Sequence, residues 1–166
     1  MREVLLRHLA SSEQIVRDGE EIVPAWRVLT AEGSHLIFTR FDHDKPKQVE
    51  RVMHLMRRFM VWRQALGFVL AMEVWLGAEK TRQGEEAIFV LGVAHNAPAA
   101  GVMRRLRRRE GAVELAPAEW VPTDQIDPAF FDVLPGRVET LAEGEAEELA
   151  RIFGEAGELP AVFARS

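Results

Sequence analysis

Three groups of residues in this chain have types and spacings that could do chemistry. The first is Asp42, His43 and Asp44, with His95 further along. Carboxylate oxygens and imidazole nitrogens together hold a divalent ion, and His95 closes an apolar run whose end could converge on the same site. Such an ion would serve a metal-assisted hydrolase. The competing reading is local. Acidic residues just ahead of a helix cap its free N–H groups and oppose its dipole, and the spacing favours this second reading.

The second group is a single residue. Glu73 is the one charge between residues 68 and 77. A carboxylate in such surroundings must pair, protonate or face a cavity. A structural ion pair, with Arg27 or Arg40 as the counter-charge, or a strand edge nearer solvent is the favoured expectation. The alternative is a general acid or base with a raised pKa, the role Glu73 would take in a small enzyme.

The third group is Arg104, Arg105, Arg107, Arg108 and Arg109, five arginines in six positions. Their concentrated positive potential suits phosphates or an acidic protein surface. Against nucleic acid stand the net charge of −5, the lack of aromatic residues within the run and the absence of a recognised binding module. A solvated edge strand is the plainest reading; among binding roles a protein partner or homo-oligomer is preferred, with a nucleic-acid accessory role as an alternative.

Charge is divided unevenly along the chain. Residues 1–109 carry 18 Lys+Arg and 13 Asp+Glu, a net of +5, whereas residues 110–166 carry 3 and 13, a net of −10. The acidic part is expected to neutralise the arginine run through Glu143, Glu145, Glu147 and Glu148, within one chain or from a second subunit. The excess of arginine over lysine reads as codon usage in a GC-rich genome before it reads as anion recognition.

Much chemistry is excluded. The chain has no cysteine, hence no disulfide, thiolate metal ligand or thiol nucleophile. No glycine-rich phosphate loop occurs, and none of Ser11, Ser12, Ser34 and Ser166 lies in a nucleophile-elbow sequence. No cofactor is expected. The N-terminus lacks the unbroken apolar centre of a secretory signal, and no run is long enough to span a bilayer. The expectation is a cytoplasmic protein without membrane contact.

These residues are positioned by an α+β fold comprising residues 1–166 as one domain, with residues 156–166 as an extended tail. The apolar spacing predicts a helix over residues 2–17 and a hairpin of strands over residues 24–30 and 35–41. Lys45-Pro46 starts a long helix whose apolar stripe runs to about Ala65, with Gly67 as its stop. Residues 68–76 and 86–95 are apolar at both parities, the mark of central strands covered on both faces. Residues 79–85 read as a polar loop, residues 96–98 as a turn and residues 115–122 as loop. Residues 101–109 read as a charged edge strand. A helical turn follows at residues 127–131 and a helix at residues 141–153. The sum is a largely antiparallel sheet of about five strands with a long helix and terminal helices packed on it. The function expected from this is that of a small non-catalytic interaction protein.

Overall fold

The computed structural model describes residues 1–40, 45–76, 85–109, 112–136 and 139–154. The fold is α+β, as its pattern implies. In chain order come α1 (Arg2–Arg17), β1 (Ala25–Leu29), β2 (Ser34–Phe38), α2 (Pro46–Trp62), β3 (Gly67–Leu76) and β4 (Glu85–Ala94). Then follow β5 (Ala97–Arg109), β6 (Ala112–Leu115), β7 (Glu119–Val121), two short 3₁₀ turns and α3 (Glu145–Phe153). The residues expected to form the extended tail, and most of the expected loop over residues 79–85, lie outside the described residues.

Among the described residues the strands form one seven-stranded antiparallel sheet in the order β2-β1-β3-β4-β5-β6, with β7 also on β5. The expected count of about five is therefore too low, and β5 is not an edge. β6 pairs with its residues 106–109 and β7 with residues 101–103, both on the side away from β4. Strands of four and three residues are too short to show a reliable period. Pro98 made the start of β5 read as a turn. It falls where the β4–β5 ladder shifts register between Gly92 and Ala94, an irregularity that tolerates a residue without an N–H.

The two central strands are apolar at both parities because helices cover both faces. On one face, α1 sets Leu5, Leu9 and Val16 against Val69 and Ala71 of β3, Ile88 and Val90 of β4, and Val102 and Leu106 of β5. On the other, α2 sets Val52, Met56, Phe59 and Met60 against Phe68, Leu70 and Met72 of β3 and Phe89, Leu91 and Val93 of β4. α3 docks on α2, with the Phe153 and Phe59 rings 4.5 Å apart. Trp26 and Phe68, with ring centroids 5.3 Å apart, tie β1 into the same layer.

α2 ends sooner than its stripe suggests. Arg63 caps it, and Gln64 turns the chain with a φ of +49°, a left-handed conformation that helix ends commonly use. Gly67 has a different task at the start of β3. A Cβ there would lie 2.6 Å from the Val93 carbonyl oxygen and 2.8 Å from the Ala94 Cβ, so only glycine allows the two backbones to meet. Gly67→Ala is expected to lower the unfolding free energy by about 2 kcal/mol, as overpacking at a rigid site does; denaturant titration measures it.

Candidate functional site

The alternation of a strand decides which charged groups meet. Glu73 follows Val69 and Ala71 onto the α1 face of the sheet, and Glu86, Arg104 and Arg108 share that face with Ile88, Val102 and Leu106. α1 covers part of the face and supplies Glu13, which pairs with Arg104 at 3.1 Å. Beyond it, one guanidinium serves two carboxylates. The Arg108 Nη2–H donates to Glu73 Oε1 at 2.8 Å, and its Nε–H donates to Glu86 Oε2 at 3.0 Å.

Glu73 thus pairs, as expected, but neither Arg27 nor Arg40 is its partner. β1 runs beside β3, yet its register with β3 covers Gly67 to Ala71 and stops short of Glu73. The partner comes from β5, two strands away, a placement visible only once the register is known. The other Glu73 oxygen, Oε2, is buried and accepts no hydrogen bond.

Two carboxylates on one guanidinium leave a surplus negative charge in a mostly covered position. Burial pushes the Glu86 carboxyl above its ordinary pKa of 4.5, and the Glu73 charge pushes the same way, against the pull of Arg108. The folded state therefore takes up a proton at Glu86 more readily than the unfolded chain. This stabilises the fold fully below 4.5 and is lost as pH rises through the raised value. A glutamine at this position keeps the acceptor for Arg108 and adds a donor for the bare Glu73 oxygen. Glu86→Gln is expected to raise stability at neutral pH by about 0.5–1 kcal/mol and to flatten the decline above pH 4.5. Thermal unfolding across a pH series checks both.

The rest of the arginine run is likewise paired within the chain. Arg105 and Arg107 reach Glu85 at 2.9 and 3.4 Å, and Arg109 reaches Glu114 at 3.6 Å. The partners come from α1, β3, β4 and β6. None comes from α3, contrary to the expectation for Glu143, Glu145, Glu147 and Glu148. The acidic part of the chain meets a different basic surface, on α2. Arg57 pairs with Glu139 at 2.5 Å, while Arg58 binds both Glu139 and Glu145. Hydrogen bonding from Arg58, then from the Ala142 N–H, holds the Glu145 carboxyl below its ordinary range. Arginines of a helix stripe look like a solvated face in sequence, so Arg57 and Arg58 went unremarked there.

Asp42, His43 and Asp44 lie outside the described residues. His95 lies in the turn after β4, half-buried, and its backbone N–H donates to the Leu66 carbonyl at 3.1 Å. It lines an open cavity of about 820 Å³ together with Trp62, Gln64, Asn96 and Glu139. Among the described residues no three His, Asp or Glu side chains come together as metal ligands, and none of the helices is long and apolar enough to cross a membrane.

One surface was missed by sequence reasoning. β2 is bonded to β1 on one side and, among the described residues, to nothing on the other. Leu36 is 41% and Phe38 51% exposed. The strand Ser34–Phe38 has no charge and no proline, the devices that normally blunt a free edge. The available signal was the hairpin itself, whose second strand shows large apolar residues at both parities although only one face is covered.

Fold and site together define an α+β protein with helices on both sheet faces, an arginine run paired within the chain and, among the described residues, an unpaired apolar edge at β2. No protein-family model, curated protein or solved structure matches the chain.

Proposed function

We propose that this chain is a non-catalytic interaction protein whose binding surface is the free edge of β2, and that its partner contributes an extended strand. The observation that carries this reading is the uncharged, proline-free edge bearing Leu36 and Phe38. An edge of this kind offers backbone hydrogen bonds for affinity and alternate side chains for selectivity. The pairing of the arginine run supports it by contrast. A phosphate would have to displace Glu13, Glu73, Glu85, Glu86 or Glu114 from residues 104–109, which weakens the nucleic-acid alternative. Of the opposite charges that suggested two binding faces, Glu114, Glu139 and Glu145 of the acidic part meet arginines within the chain.

Titration with a short soluble peptide of alternating threonine and valine, read by amide chemical shifts, tests the reading. Shifts concentrated on Ser34, Leu36 and Phe38 are expected. No response of the monomeric protein at millimolar peptide would overturn it, and shifts at residues 104–109 with a random duplex in place of the peptide would favour the nucleic-acid reading.

A further inference from the structure

We infer that the strand received by β2 is β2 of a second copy, paired antiparallel about a two-fold axis at Leu36 so that two sheets join into one. This inference rests on the reading of β2 as a binding edge and names its partner.

The hydrogen-bond phase of the hairpin comes first. The Thr30 N–H donates to the Gly33 carbonyl and the Thr39 N–H to the Pro24 carbonyl, each at 2.8 Å. Bonded and non-bonded pairs alternate along an antiparallel ladder. His35 and Ile37, opposite Val28 and Trp26, therefore spend their N–H and C=O groups on β1. Ser34, Leu36 and Phe38 direct theirs to the free edge.

A second copy can satisfy all three at once. In the register centred on Leu36, Leu36 faces Leu36 of the second copy, Ser34 faces Phe38, and Phe38 faces Ser34. Each of these is a bonded pair. The five-residue strand overlaps completely, with the small Ser34 opposite the bulky Phe38. His35 and Ile37 face one another across the non-bonded positions. Since residues 34–38 carry no charge, identical copies bring no like charges together.

Charge complementarity beyond the strand selects the same partner. Glu32 and Arg40 are both exposed and lie four residues either side of Leu36. The two-fold axis brings the turn that carries Glu32 of one copy to the end of β2 that precedes Arg40 of the other, and does so twice. Such symmetry is the usual form of a homodimer, in which one patch serves both subunits.

Sedimentation equilibrium of the full chain tests this. The wild-type chain is expected to be a dimer. E32R alone or R40E alone is expected to raise the dissociation constant about tenfold or more, by setting like charges together, and the E32R/R40E pair to return it to within about threefold of wild type. Leu36→Lys, at an exposed position, is expected to leave a folded monomer by circular dichroism. A wild-type chain that stays monomeric at every concentration, a dimer that survives Leu36→Lys, or a double reversal that fails to restore pairing would each overturn the inference. A monomer that still binds the threonine–valine peptide would fail this inference alone. A monomer that ignores the peptide would fail the edge-strand reading as well.

Discussion

Trp26→Ala is expected to lower the unfolding free energy by about 4 kcal/mol, the cost of removing a large aromatic side chain from a packed core. Trp26 is fully buried on β1, and its ring packs against Phe68. Its indole N–H donates to the Thr39 hydroxyl at 2.9 Å, and Thr39 is itself only 4% exposed. Truncation therefore leaves a cavity and also strands a buried hydroxyl. Trp26→Phe separates the two effects. It keeps most of the ring contact and loses the hydrogen bond, so a smaller loss of roughly 1–2 kcal/mol is expected. Denaturant unfolding of both variants measures the difference. The consequence reaches the proposed binding surface, because Trp26 and Thr39 hold the hairpin from either side. A loosened β1 leaves β2 without a fixed edge.

Arg108→Leu is expected to cost about 3 kcal/mol at neutral pH, toward the low end for removing one partner of a buried ionic group. Glu73 and Glu86 keep 18% and 17% side-chain exposure, and Arg108 keeps 33%, so water moderates the penalty. The loss should depend on pH with a definite sign. Without the guanidinium, the pull that opposes burial at Glu86 is gone, so its carboxyl would lie further above its unfolded value. Protonation of Glu86 then favours folding, and the deficit shrinks as pH falls through that raised value. Combining Arg108→Leu with Glu86→Gln removes the like-charge contact and should recover a part of the loss. A deficit independent of pH would show that packing of the Arg108 stem, not charge, matters there.

The elements that were legible in the sequence are those whose burial is uniform along their length. α1 and α2 each bury one stripe, and β3 and β4 bury both faces, so apolar period alone locates them. What stayed hidden depends on pairing between distant segments. β6 and β7 exist because β5 has a second edge to fill, and nothing in four or three residues announces that. Glu73 could be recognised as a carboxylate in need of a partner, but Arg108 becomes that partner only through the β3–β4–β5 register. The arginine run was conspicuous as a charge cluster. Its neutralisation by Glu13, Glu73, Glu85, Glu86 and Glu114 required the sheet order. The bare edge of β2 was the least legible of all, because it is defined by a neighbour that is missing among the described residues.

Amide hydrogen exchange along β2, followed from dilute to concentrated protein, tests the edge-strand account most directly. In dilute solution the account predicts an alternation: slow exchange at His35 and Ile37, which bond to β1, and fast exchange at Ser34, Leu36 and Phe38. On concentration, or on adding the strand-forming peptide, the three fast amides should slow while the other two change little. Fast exchange at Leu36 under every condition would contradict the account.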